Sequence, residues 1–150
     1  MTGITFLTPW LAVGGALEAA DVDDALRQGI THIVNCRVSF DDSELINGRA
    51  AYLWDPAPDD RRPKEPRWFL EAIEFVRTAR RDPDAKVLIH CTGGIDRSPS
   101  LAYAVLRSLG WSRVRAERTI GEAHPEARLV YRDDAEAAVQ DLAADRSMGR

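Results

Sequence analysis

Cys91 and Arg97 bracket the adjacent glycines Gly93 and Gly94. An ionised cysteine is a strong nucleophile near neutral pH, and arginine presents a rigid fork that matches two oxygens of a phosphate. Glycines between them let the backbone N–H groups of Thr92, Gly93, Gly94, Ile95, Asp96 and Arg97 turn inward as an anion nest. Upstream, Val87, Leu88 and Ile89 form a short apolar run that reads as a buried strand. Downstream, Ser98 and Pro99 open a helix, Ser98 as N-cap and Pro99 in a first-turn position that needs no N–H. The helix N-terminus adds positive potential, and with Arg97 it favours a thiolate at Cys91. A tetrahedral dianion gripped by this loop would sit above the sulfur, which is the arrangement for phosphoryl transfer to cysteine.

His90-Cys91-x-x-Gly94-x-x-Arg97-Ser98 resembles the signature loop of cysteine-dependent phosphatases, in particular the small dual-specificity branch. The resemblance extends to the amino-terminal half, where Trp10-Leu11-x-Val13-Gly14-Gly15 and Gly29-Ile30-Thr31-His32-Ile33-Val34-Asn35 match the family pattern, and it spans about Ile4 to Leu142. It implies that Cys91 attacks phosphorus, that Arg97 clamps the phosphate, and that Ser98 bonds the sulfur and assists breakdown of the phospho-enzyme. It also implies a general acid on a mobile loop some thirty residues before the cysteine. Asp55, Asp59 and Asp60 lie there. Asp59 is favoured because it stands 32 residues upstream (91 − 59) and because Pro58-Asp59 echoes a Pro-Asp pair in larger relatives. Asp60 is the neighbouring alternative, while Asp55 directly follows a strand and is too close to its end to swing over the pocket.

The elements that must carry these residues follow from periodicity. A strand at Trp10–Val13, a helix from Val22 to Gln28 capped by Asp21, and a strand at Ile30–Cys36 give a β-α-β opening. Residues 37–50 are polar and irregular, and Ala51–Trp54 is a short strand. Asp55 to Pro66 is too rich in proline for regular structure. Phe69, Ala72, Ile73 and Val76 then recur at helical spacing within Arg67–Arg80. After the loop, an apolar helix runs through Leu101–Leu109, Ser112 caps Arg113–Ala123, and a last helix spans Asp133–Ala143 with Ala135, Ala138, Val139 and Leu142 inward. The fold class is α/β: residues 1–150 form one domain, a sandwich with a central, mainly parallel sheet flanked by helices.

Composition narrows the function. A net charge of −4 gives no reason to expect nucleic acid or an anionic membrane as partner. Two cysteines, Cys36 and Cys91, make no disulfide framework and fit a reducing compartment. The apolar start has no preceding Lys or Arg and is broken by Pro9 and Gly14-Gly15, so it is not a signal peptide, and a cytoplasmic monomer is expected. Neither metal-ligand spacing nor a cofactor motif is present, and the chemistry needs neither. His90, at the end of a buried strand, reads as a core histidine that orients the loop. The Asp96 side chain is expected to turn out to the rim. Arg61, Arg62, Lys64 and Arg67 read as a solvated face or a contact for acidic flanks of a phosphopeptide, and the four tryptophans as packing. The expected substrate is a phosphotyrosine protein, with phosphoserine or phosphothreonine as further targets. A lipid, nucleotide or carbohydrate phosphate, or a non-catalytic phosphate-binding module, is the alternative.

Overall fold

Alternation along the central strands decides the architecture. Leu11, Val13, Val34, Val87 and Ile89 face one core, while Ala12, Ile33 and Leu88 face the other. Successive strand residues point to opposite faces, so a sheet apolar on both needs a layer on each side. In the computed structural model, which describes residues 3–148, that is how the chain folds. Five strands, β1 (Ile4–Thr8), β2 (Leu11–Gly14), β3 (His32–Asn35), β4 (Ala51–Trp54) and β5 (Val87–His90), take the order β1-β2-β5-β3-β4. Only β1 runs antiparallel to its neighbour. The central strand β5 registers Val87 against Leu11 and His32, and Ile89 against Val13 and Val34.

One face carries α1 (Ala19–Arg27) and the short α2 (Ser43–Ile46), through Val22, Ala25 and Ile46. The other carries α3 (Pro66–Ala79), α4 (Arg97–Ser108), α5 (Arg113–Ala123) and α6 (Arg132–Met148). Helix α4 is buried along nearly its whole length, so its one basic group facing α6, Arg107, is matched by a carboxylate. Glu136 accepts from Arg107 Nε at 2.6 Å and from the Tyr103 hydroxyl at 2.5 Å. The Arg107 bond holds the Glu136 carboxyl below the usual range. No helix among the described residues is long and apolar enough to cross a membrane.

Several local expectations are corrected. The apolar start is an edge strand, turned into β2 by Thr8, whose Oγ1 accepts the Leu11 N–H at 3.0 Å. Helix α1 begins at Ala19 behind Glu18, and Asp21 serves it from inside the first turn by accepting the Glu18 N–H at 2.8 Å. Residues 37–50 contain α2, and Pro66 is the first residue of α3. Helix α4 starts at Arg97, one residue before Ser98, which is therefore not its cap. Ser112 does cap α5, accepting the Arg115 N–H at 3.1 Å. Trp54 is 41% exposed, unlike the packed tryptophan expected there, and its Nε1 donates to the Arg37 carbonyl.

Candidate active site

In a parallel sheet, strand ends of one sense lie at one edge, and loops that follow them converge there. Strands β3, β4 and β5 lead into Cys36, Asp55 and Cys91, and the loop after β5 bends straight into α4. The bend needs Gly94, at φ +71°, where a Cβ would meet the Gly14 backbone at 3.0 Å. The loop's carbonyls are tied outward. Thr92 O accepts the Ala16 N–H at 2.9 Å, Ile95 O the Arg128 N–H at 2.8 Å, and Asp96 O the Ser100 N–H at 3.2 Å. Gly94 O is bonded by His124 Nε2 at 2.7 Å. In a planar trans peptide the next N–H points opposite to the carbonyl. The amides of Gly93, Ile95, Asp96 and Arg97 therefore face the interior of the loop.

Cys91 lies at the floor, almost wholly buried. Its sulfur accepts the Gly94 N–H at 3.2 Å and contacts Ser98 Oγ at 3.3 Å. The Ser98 hydroxyl also reaches Gly14 O at 3.4 Å, so this side chain is directed into the site. Arg97 is buried as well. Its NH1 donates to the carbonyls of Cys36 at 3.1 Å and Ala57 at 2.8 Å, and its NH2 to Thr92 Oγ1 at 3.1 Å. Among the described residues its Nε has no hydrogen-bond partner. NH1 thus fastens the surrounding chain, and Nε, together with the NH2 hydrogen not taken by Thr92, can bind an anion in fork geometry. Unsatisfied buried donors are rare enough that such an edge is informative.

His90 follows its expected part as a core histidine. Its Nε2 meets Asp42 Oδ2 at 2.5 Å, and both side chains have no exposure. Asp42 comes from the stretch whose polar sequence reads as irregular, and its backbone N–H is held by the Tyr52 hydroxyl at 2.9 Å.

The three carboxylates of the segment after β4 diverge. Asp55 is buried, and burial, then the charge of Glu71, pushes its carboxyl up to about 7. Asp60 is engaged by Lys64 Nζ at 2.6 Å and by the Arg62 N–H at 3.0 Å, which hold it below the usual range. Asp59 is exposed to solvent, with Oδ1 accepting from the Tyr131 hydroxyl at 2.8 Å. That hydroxyl also accepts the Arg61 N–H at 3.1 Å, where Arg61 holds φ at +60°. Tyr131 and His124 have no signal in the sequence, because nothing local marks residues from the α5–α6 region as supports of two distant loops. Lys64 is not part of an exposed basic face: its side chain is 6% exposed, with Nζ 4.9 Å from the centre of the Tyr131 ring. The Asp96 side chain is half-buried, with no hydrogen-bond partner for Oδ1 among the described residues, and burial, then the charge of Asp59, pushes its carboxyl up.

A nest of amides, a cysteine at its floor and a buried arginine at its rim, all at the carboxyl edge of a parallel sheet, define the cysteine-based phosphate-handling class of α/β proteins. A sequence model of the dual specificity phosphatase catalytic domain matches residues 13–118, and the chain belongs to that family. It is 38% identical over 115 residues to dual specificity protein phosphatase 4 of Homo sapiens, covering 74% of this chain and 27% of that protein. It is 30% identical over 124 residues to tyrosine-protein phosphatase vhp-1 of Caenorhabditis elegans, covering 82% of this chain and 19% of that protein. The chain therefore spans about a quarter or less of the length of these relatives. Among solved structures, a mouse putative dual specificity phosphatase complexed with zinc tungstate superposes with a TM-score of 0.78 at 25% identity, covering 95% of this chain and 90% of that one.

Proposed function

We propose that residues 1–150 act as one catalytic unit that hydrolyses phosphate monoesters on proteins, phosphotyrosine first and phosphoserine or phosphothreonine as well. The Cys91 thiolate attacks phosphorus, the S–P bond forms, and the bond from phosphorus to the substrate oxygen breaks. Asp59 gives its proton to the departing oxygen. It then takes a proton from water, which attacks the phospho-cysteine and returns the sulfur as thiolate. Ser98 steadies that thiolate through its hydroxyl. Arg97 and the amides of Gly93, Ile95, Asp96 and Arg97 stabilise charge on the equatorial oxygens, the larger part of catalysis in phosphoryl transfer. Proteins are the favoured substrate because the relatives named above are called protein phosphatases. The reaction uses no metal or cofactor, and the two reduced cysteines suit the cytoplasm.

The observation that carries this reading is the pairing of the Cys91 sulfur, under the Gly94 N–H and the Ser98 hydroxyl, with the unused Nε edge of Arg97. Phosphate release from phosphotyrosine and phosphothreonine peptides, a phosphoinositide and a nucleoside monophosphate tests it. Phosphopeptide turnover that vanishes in Cys91→Ser, and that falls about 10²–10³-fold in Asp59→Asn on an alkyl phosphate, is expected. Turnover retained by Cys91→Ser refutes it, and a preference for the lipid or the nucleotide moves the substrate class.

A further inference from the structure

The anion loop contains adjacent glycines, Gly93 and Gly94, and glycine reaches positive and negative φ with nearly equal ease. The shape of such a loop is set less by its own sterics than by what holds its carbonyls. Thr92 O, Ile95 O and Asp96 O are held by backbone N–H groups of Ala16, Arg128 and Ser100, which any residue but proline would supply. Gly94 O is different. No backbone N–H among the described residues is bonded to it, and a side chain takes that place, His124 Nε2 at 2.7 Å. We propose that His124 is the latch of the anion loop: its hold on the Gly94 carbonyl keeps the Ile95 N–H turned toward bound phosphate, and its loss lets that one peptide rotate. This rests on the phosphatase reading and adds to it a positioning residue 30 places down the chain.

His124 is built to hold still. It closes α5, where its N–H donates to Ile120 O at 2.8 Å and its carbonyl accepts the Ala127 N–H at 3.0 Å. Pro125 follows and fixes the next φ. The imidazole is 16% exposed, with Nδ1 3.1 Å from Glu126 Oε2, so both ring nitrogens are engaged. A carbonyl only accepts, and Nε2 therefore carries a hydrogen. On its other side Gly94, at φ +71°, donates its N–H to the Cys91 sulfur at 3.2 Å. The two bonds pin this glycine from opposite directions.

Without the imidazole the peptide has somewhere to go. A cavity of about 460 Å³ lies beside it, lined in part by Gly14, Gly15, Gly93, Gly94 and His124. Rotation of the Gly94–Ile95 peptide plane exchanges the directions of its carbonyl and its N–H together, because the unit is planar. The anion then loses one donor and meets a carbonyl oxygen in its place. A single neutral hydrogen bond shifts such an equilibrium by about fivefold to tenfold. The penalty falls on the grip on phosphate, with no part in protonating the leaving group.

The test compares His124→Ala and His124→Gln with the parent. A glutamine amide can present an N–H to the Gly94 carbonyl, and alanine cannot. In His124→Ala the Ki of inorganic phosphate should rise about fivefold to tenfold. Its kcat/KM should fall by at least that factor on an alkyl phosphate and on p-nitrophenyl phosphate alike, and His124→Gln should recover most of both losses. A helix end that is merely loosened lowers the folded fraction, and with it kcat, but leaves the phosphate Ki where it was. Two measurements on the parent do not depend on how either variant folds. Long-range proton–nitrogen-15 spectra should place a hydrogen on His124 Nε2, and the Ile95 amide resonance should move when inorganic phosphate is added. An unchanged Ki in His124→Ala, no recovery in His124→Gln, a loss on the alkyl ester alone, a bare Nε2, or an Ile95 amide indifferent to phosphate each overturn the inference. In all those cases a parent whose turnover depends on Cys91 leaves the phosphatase reading standing. A parent that binds phosphate at Ile95 but hydrolyses neither ester removes that reading and keeps the latch.

Discussion

Tyr131→Phe removes one oxygen from the support of the acid loop and little else. The ring keeps its edge contact with Trp68, centroids 6.0 Å apart, and its place under Lys64. The lost hydroxyl donates to Asp59 at 2.8 Å and accepts the Arg61 N–H at 3.1 Å. A hydrogen bond to a charged group contributes about 1.5–3 kcal/mol and a neutral one about 1. Asp59 is solvated, which argues for the low end, so the two together come to roughly 2 kcal/mol. That is more than a factor of ten in the population of the loop in its working position. The Arg61 backbone adds to the effect, since a left-handed φ in a non-glycine residue persists only while something holds it. Turnover of an alkyl phosphate should fall about tenfold and that of p-nitrophenyl phosphate only about twofold, because the second ester needs less of the acid. Stopped assays on both esters at one pH measure this, with circular dichroism confirming the fold. In an Asp59→Ala background the same substitution should change alkyl phosphate turnover less than about twofold. Equal losses on the two esters, or a full effect without Asp59, would refute the idea that Tyr131 works through the acid.

Two further outcomes follow from the titrating groups. Iodoacetamide should label Cys91 and leave Cys36 unmodified, with vanadate protecting Cys91; Cys36 is fully buried, and burial, then the charges of Cys91 and Asp55, pushes its thiol well above its ordinary range. Equal labelling of the two cysteines would contradict this. Asp55, held at about 7 against an ordinary 3.8, contributes most to stability below about pH 4 and loses that contribution as pH rises to 7. The ceiling is roughly 4 kcal/mol, and partial hydration leaves about 2. Urea unfolding should therefore show Asp55→Asn gaining on the parent between about pH 4 and pH 8, and a difference constant with pH would exclude the mechanism.

What the sequence disclosed was what it encodes locally. Cys91, Gly94, Arg97 and Ser98 lie close together in the chain, so their spacing alone points to a site, whereas the proposed acid at Asp59 is suggested only by the resemblance that Pro58-Asp59 bears to larger relatives. Strands β3 and β5 are legible because both faces are apolar. The supports are another matter. Tyr131 touches Asp59 from 72 positions away and Asp42 reaches His90 across 48. Neither pairing leaves a periodic or compositional trace, since each depends on where helices settle on the sheet. Strand β1 escaped for a related reason: an edge strand of five residues with one partner makes its case only once β2 is beside it. The Ser98 misreading is instructive too. A serine before a helical run suits a cap, but the turn had already closed at Arg97, which freed the hydroxyl for the sulfur.

Arg97 has a bearing on how this chain would decay over evolutionary time. Its NH1 joins the end of β3, through Cys36 O, to the acid loop, through Ala57 O. Deleting the guanidinium leaves the Ala57 carbonyl without this donor, at about 1–3 kcal/mol, while the Cys36 carbonyl keeps the Ala57 N–H at 3.2 Å. Exchanging Cys91 for serine, or Asp59 for almost anything polar, disturbs neither. Under the proposed mechanism, a lineage released from selection for turnover would thus shed Cys91 and Asp59 first and retain the arginine. Descendants that recognise phosphate without cleaving it lie one substitution away, whereas descendants blind to phosphate must also give up the bond from Arg97 to the Ala57 carbonyl and rely on the Ala57 N–H to Cys36 O bond alone between these two residues.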